Sequence, residues 1–587
     1  MVAATPSRRS TITTIVKRPS TSSAKIVRFT PPPTPYLQEQ TLQDESEPES
    51  IIRLDPTLYD PHGFGLDSNE GQYFQVFRLH TANELSGFFD SEFWMRSVLQ
   101  ESHSQASIRH AVVALGALYK TLEKASESPP GSPSDLVYQH DAATSHYNFA
   151  LQQYSKAVTR LREAMQNNEA RSHRTILISI VLFTCFQSFT GDHRSAITQI
   201  QHGLGLLEER RQDAAQPFMR RKDDVVEDEL VQMFTRLAIQ AKSYDMAFHF
   251  PDPYVIRLSP QTKPSSPQSP SSPVETGSSI SDSGPQIPAI FESSQEARTS
   301  LDTLQERIMR FNEALTGHFA SPGSDKIIPS SIKSMGHGFR TQLAQWTAAF
   351  EPLLESRRRP GVTNTERAGI IVLKMLVTMT TILFMMGFSA SEMDFDNFIP
   401  QFKEIVDLAK ELVVDEELSL AQERCGSQST CRHRSHNPNP TQQFPGITAH
   451  HSGFAHTTET YTHIKASFAL DLGIVAPLFV VATKCRDRKV RRDAIRLLLS
   501  SPRREGMWDS ILSGRVAEWL MFIEEDGMSP FSQFGPASVE IVRDEMRVMV
   551  KEILFDLQKR EATLSCGTRG ARAGDFDPRA RETSIYW

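Results

Sequence analysis

An all-α fold is what this chain predicts, and three observations predict it. Apolar residues recur at helical spacing from about Glu84 onward, one segment is apolar on nearly every side, and short polar turns separate such segments without any convincing set of alternating strands. The 587 residues are enough to bury a sizeable core. With 63 Lys+Arg against 70 Asp+Glu the formal charge is -7, so the molecule as a whole has no footprint for polyanions, and any nucleic-acid surface must be local. Five cysteines, Cys185, Cys425, Cys431, Cys485 and Cys566, are too few and too scattered for a secreted disulfide framework; a reducing compartment fits them.

Residues 1–50 read as a disordered arm. They are rich in Ser, Thr and Pro, carry Arg8, Arg9, Lys17, Arg18, Lys25 and Arg28 with no acid before Glu39, and end in "DESEPES". A mitochondrial presequence is the other reading of that composition, but Pro6 and Pro19 and the lack of a clean apolar helix face speak against it. A first helical part is expected over 51–258. In "SIRHAVVALGALYKTL" the residues Ile108, Ala111, Val112, Leu115, Leu118 and Tyr119 line one helix face. Leu151, Tyr154, Val158, Leu161 and Met165 do the same in the next segment. Ile176–Phe189, "ILISIVLFTCFQSF", predicts a central buried helix with Cys185 as a small core residue. A Gly191-Asp192 turn then leads into a helix presenting Ala196, Ile197, Ile200, Leu204 and Leu207. Helix, turn, helix recurs, yet there is no fixed period or repeat signature, so a solenoid is not expected.

A linker covers 259–298. Its "SPQTKPSSPQSPSSP" start is too rich in Ser and Pro to make a core, and Ser-Pro steps at Ser259, Ser266, Ser269 and Ser272 suit either proline-directed phosphorylation or a plain spacer. A second helical part is expected over 299–422. It contains Ile370–Ala390, long enough to span a bilayer but bearing Lys374 and three threonines; a buried helix is the reading, and no membrane partner is expected. Residues 423–455 are assigned to a disordered loop, 456–560 to a third helical part, and 561–587 to a disordered tail. Within the third part Val516, Trp519, Leu520 and Ile523 form one apolar helix face, and Val542, Met546, Met549 and Ile553 a second.

Motifs for catalysis are missing. The chain has no glycine-rich nucleotide loop, no His-Glu-x-x-His and no Gly-x-Ser-x-Gly. Asp394 and Asp396 in "SEMDFDNF" read as a turn or helix start, not as paired catalytic carboxylates. Cys425-x5-Cys431-x-His433-x2-His436, followed by His450 and His451, has ligand types suited to zinc, but the spacing of no closed zinc module. No catalytic residue, cofactor or metal site is therefore assigned. The remaining feature is the basic run Lys484, Arg486, Arg488, Lys489, Arg491, Arg492 and Arg496, with only Asp487 and Asp493 among them. It could meet phosphates; with Ile495, Leu498 and Leu499 turned inward it is also the outer face of a helix pairing with acidic neighbours, the reading preferred here. Cys485 inside this run is a candidate for a lowered thiol pKa.

Several stretches together resemble the regulatory domain of fungal binuclear zinc-cluster transcription factors. They are "FWMRSVLQESHSQASIRHAVVALGALY" from Phe93, "ALQQYSKAVTRLRE" from Ala150, "TILISIVLFTCFQSFTGDHRSAITQIQHGLGLL" from Thr175, "ELVQMFTRLAIQAKSYD" from Glu229, and "PLFVVATKCRD", "RRDAIRLL" and "RREGMWDS" from Pro477 on. The resemblance implies an all-helical nuclear regulator, with metabolic or secondary-metabolite genes as targets and with other transcription regulators, co-regulators or a second copy as partners. Members of that family usually begin with a six-cysteine zinc module that reads DNA, whereas here no cysteine precedes Cys185. The expectation is either a gene model with a missing start or a member without its DNA reader, so DNA contact is weak or comes through that missing module. A helical interaction scaffold without direct DNA contact is the alternative.

Overall fold

Helix formation begins where the sequence supplies a cap. The Asp67 carboxylate accepts from the Glu70 backbone N–H at 2.8 Å while Glu70 accepts from Asp67 N–H at 3.2 Å, a reciprocal capping box that starts α1 (Ser68–Val76). The computed structural model describes residues 65–587, apart from 90, 127–132, 168–172, 215–227, 249–285, 321–328, 390, 427–460, 462, 530–540, 557–558 and 570–575. The arm, most of the linker and most of the 423–455 loop therefore lie outside the described residues.

After α1 come a π-helical turn (Phe77–Thr81), α2 (Ala82–Leu85), a second π turn (Phe93–Ser97), α3 (Val98–Ser104), α4 (Ala106–Ser126) and α5 (Pro133–Gln166). Helices α4 and α5 form an extensive hairpin, with α1 and α3 laid on α4. Gly116 makes the α1 contact possible, because a Cβ there would stand 2.1 Å from the Tyr73 carbonyl oxygen. The second hairpin is α6 (His173–Thr190) with α7 (His193–Ala214), turned at Gly191, whose φ is +84°. As expected, α6 is buried from Leu177 through Ser188. The face of α5 differs from the expected one. Ala150, Gln153 and Ala157 are buried, whereas Leu151 and Met165 are exposed, because the tight approach to α4 favours the small residues.

The second part is built from α8 (Asp228–Phe248), α9 (Ser294–Ala320), α10 (Ser330–Ser356), α11 (Asn364–Met386), a 3-10 segment (Glu392–Phe398) and α12 (Ile399–Cys425). Among the described residues α11 alone is long and apolar enough to cross a membrane, and 78% of its most apolar window is buried inside this protein. Its Lys374 is paired with Glu404 at 3.3 Å and Glu351 at 3.8 Å. It is a core helix, as the sequence reading had it.

The third part holds α13 (Val475–Lys484), α14 (Arg488–Ser500) and α15 (Ser510–Glu524) together with two small sheets. Strands β1 (Ser467–Ala469), β2 (Arg503–Glu505) and β3 (Trp508–Asp509) pair parallel then antiparallel. Strands β4 (Met549–Asp556), β5 (Glu561–Gly567) and β6 (Arg581–Tyr586) form an antiparallel meander. The fold is predominantly helical, as predicted, but these strands correct two expectations. Val542–Ile553 is not a helix: Asp544–Met546 is a single 3-10 turn and β4 begins at Met549. The stretch 561–587 is not a disordered tail, since β5 and β6 lie within it. The physical reason is visible in "EATLSC", where Ala562, Leu564 and Cys566 alternate with polar residues and are all buried. Once β5 exists, β4 pairs with it from Met549 to Asp556 and buries Val550 and Ile553.

Candidate effector cavity and its ion-pair frame

The basic run is absorbed by the fold residue by residue. Asp487 caps α14 by accepting from Lys489 N–H at 3.1 Å and Val490 N–H at 2.9 Å, which turns Val490, Ala494, Ile495, Leu497 and Leu498 inward. Arg486 and Arg491, at 1% and 0% side-chain exposure, converge on the fully buried Glu524 at 2.7 Å each. Arg488 and Arg492 share Glu525 at 2.9 and 2.6 Å. Lys489 and Arg496 stay on the outer side and pair with Asp493. The expected pairing with acidic neighbours holds, but two of the arginines are core residues, unavailable to a phosphate backbone.

Glu392 is the second hub. Its carboxylate accepts from Lys484 at 3.1 Å, Arg486 at 3.2 Å and Arg569 at 3.0 Å, the last reaching in from beyond β5. Asp396, on the same 3-10 segment, takes both Nη atoms of the buried Arg547 at 3.0 and 2.7 Å, while Asp394 is exposed and accepts from the Ser389 hydroxyl. Both lie on the 3-10 segment ahead of α12, a turn at a helix start as the sequence reading had it, although Asp396 is half-buried. Burial works against ionisation of Glu524, but Arg486 and Arg491 outweigh it and carry the carboxyl down to about 2. For Glu392 burial is likewise outweighed, by Lys484 and Arg486, and its pKa is lowered.

Beside this frame lies a cavity of about 820 Å³. Helix α8 contributes Ile239, Ser243, Met246 and Ala247; α9 contributes Gln305 and Ile308; α11 contributes Met379, Leu383 and Phe384. Phe479 and Lys484 of α13, Trp508, Leu520 of α15, Lys551 of β4, and Arg569 close the rest. The volume falls in the range of small-molecule pockets, about 300–1,000 Å³. Five methionines in the wall, Met246, Met309, Met379, Met386 and Met549, supply flexible thioethers that adapt to a guest. Sequence reasoning missed this site because its walls come from three separate stretches whose apolar faces each read as ordinary core.

The cysteines resolve differently from expectation. Cys485 is buried and its thiol is pushed up to about 12, so the lowered pKa is corrected: burial outweighs the neighbouring cations. Burial also pushes Cys185 up, as fits a core residue, and Cys566 to about 11. Of the zinc-type cluster only Cys425 lies within the described residues; Cys431, His433, His436, His450 and His451 lie outside them. Cys425 Sγ is 3.5 Å from His463 Nε2, and His463 Nδ1 is 2.6 Å from Glu417, which also accepts the backbone N–H groups of His463 and Ile464. Among the described residues no three His, Cys, Asp or Glu side chains are grouped to hold a metal ion.

Helices α1 to α8 coincide with a recognisable unit: residues 72–241 match the fungal specific transcription factor domain. Over these residues the chain is similar to that domain of fungal transcription factors. It is similar in particular to the aspercryptin biosynthesis cluster-specific transcription regulator atnN of Emericella nidulans, at 25% identity over 513 residues, covering 81% of this chain and 77% of that protein. No solved structure matches the chain.

Proposed function

We propose that this chain is the regulatory body of a nuclear transcription regulator that controls metabolic genes, a secondary-metabolite gene cluster among them. The observation that carries the reading is the fungal specific transcription factor domain over residues 72–241, continued by a likeness to a cluster-specific regulator that covers 81% of the chain. The five cysteines of these 587 residues are too few for a six-cysteine zinc module, so base recognition comes from elsewhere: a partner regulator or a DNA-reading segment outside this sequence. Burial of Arg486 and Arg491 supports the same assignment, because it removes two arginines of the strongest cationic stretch from contact with DNA. No catalytic role is proposed for any residue.

The test is an epitope-tagged chain in the native host, with chromatin immunoprecipitation and transcript profiling of a deletion strain. Nuclear accumulation, promoter occupancy and altered transcripts from co-located biosynthetic genes are expected. Cytosolic residence without promoter occupancy would overturn the proposal and favour a helical interaction scaffold.

A further inference from the structure

The charges around the cavity are one-sided. Among the described residues every charged group in its wall is a cation, Lys484, Lys551 or Arg569, and no Asp or Glu lines it. Lys484 and Arg569 lean on one and the same carboxylate. Glu392 is shared among Lys484, Arg486 and Arg569, and Glu524 between Arg486 and Arg491, so this corner sets four cations against two carboxylates. Asp577 acts on Lys551 near Gly567 at the end of β5, and Asp394 is engaged by Ser389. The neutral polar groups of the opposite wall are already satisfied: Gln305 donates to Thr380 at 2.7 Å, and Ser243 donates to the Gln240 carbonyl at 2.8 Å. Burial holds the Lys484 ammonium below its ordinary value, with Glu392 opposing, which marks a cation short of solvation.

We infer that the cavity binds an amphipathic anion, a small molecule whose apolar body lies against α8, α9 and α11 and whose carboxylate sits at the Lys484, Lys551 and Arg569 corner. An apolar chain or ring gains by leaving water along the Ile, Leu, Phe and Met wall. A compact anion at the other end supplies the charge that Glu392 alone does not, through charge-assisted hydrogen bonds. Such a guest touches α8, α9 and α11 on one side and β4 and Arg569 on the other, so it joins the second and third parts of the body and stabilises the folded state by mass action. The inference deepens the regulatory reading by naming the effector class, and it rests on that reading only for its biological meaning.

The experiment uses the purified full chain and the fluorescent probe dansylaminoundecanoic acid, displaced by dodecanoate or by dodecan-1-ol. Saturable binding is expected, with dodecanoate competing at least about tenfold better than the alcohol, the factor one charge-assisted contact of about 1.4 kcal/mol confers. Ala247→Trp, at a half-buried position in the wall, should fill the space and abolish probe binding with the melting temperature retained. Lys551→Met should erase most of the acid-over-alcohol preference while leaving the alcohol unchanged. Should Ala247→Trp fail to fold, the preference lost in Lys551→Met decides the question alone. Absence of saturable binding, undiminished binding in folded Ala247→Trp, or equal competition by acid and alcohol overturns the inference. None of these outcomes moves promoter occupancy, so its failure is separable from failure of the regulator assignment.

Discussion

Two regions of this molecule are held together by different physics. The α4–α7 hairpins rely on apolar faces and close backbone approach: Ile108, Val112, Leu118, Val181 and Ile200 are buried, and Gly116 and Gly203 admit Tyr73 and the Phe234 ring where a Cβ would collide at 2.1 and 2.0 Å. The block of α13–α15 with β4 and β5 is also buried, yet at its centre sit Arg486, Arg491, Arg547, Glu392 and Glu524. The first region tolerates hydrophobic exchange of similar volume. The second is sensitive to loss of a hub carboxylate, since each one serves two or three cations.

The largest expected break is Glu524→Ala. It leaves the fully buried Arg491 without a carboxylate, Arg486 with Glu392 alone and the Val548 N–H without its acceptor, and should cost about 3–5 kcal/mol, read as a loss of midpoint in urea unfolding. A cost under about 1 kcal/mol would mean the ion pairs are incidental to the block. In the hairpin region Gly116→Ala should cost about 1–3 kcal/mol by forcing α1 from α4, because the obstacle is a backbone oxygen and cannot rotate away. Equal stability of that variant would show the contact to be soft.

The pH profile sharpens the contrast with a smaller effect. Glu524 has its folded pKa depressed to about 2 from an ordinary 4.5, so its contribution is present above pH 4.5 and is lost as pH falls from there toward 2. Glu84 behaves oppositely. Burial, against the Phe468 N–H bond, raises it to about 7, so the folded state holds a proton the unfolded state has released, and stability declines as pH rises from 4.5 to 7. Glu84→Gln should flatten that decline and leave the acid limb in place, both measurable by thermal melts across pH. Smallest of all is Lys489→Ala, at 67% side-chain exposure; its melt should shift by no more than about 0.5 kcal/mol in stability.

How far each region can be read from residues follows from the same contrast. Periodicity places α4, α6, α7, α11 and α15 because their burial depends on spacing within one segment. It fails for the face of α5, where Ala150 and Ala157 win over Leu151 through the closeness of a neighbour that no local pattern encodes. The pairing of the basic run is foreseeable in kind, but Glu392 stands 92 positions before Lys484 and Arg547 comes 151 after Asp396, so the partners are not. The alternation in "EATLSC" was a legible strand signal, hidden by a helix-like spacing in the residues before it. The cavity was illegible, because a void belongs to no one segment.

Arg569 docks on a glutamate that precedes it by 177 residues. At ribosomal speeds of about 5–20 residues per second, roughly 9 to 35 s separate the synthesis of those two partners. The early hairpins can zip as they emerge, whereas Glu392 meets Lys484 and Arg486 first and gains its last cation only with the terminal meander. During that interval the nascent polypeptide is most exposed to aggregation at this one place, which is where a holding chaperone would engage it.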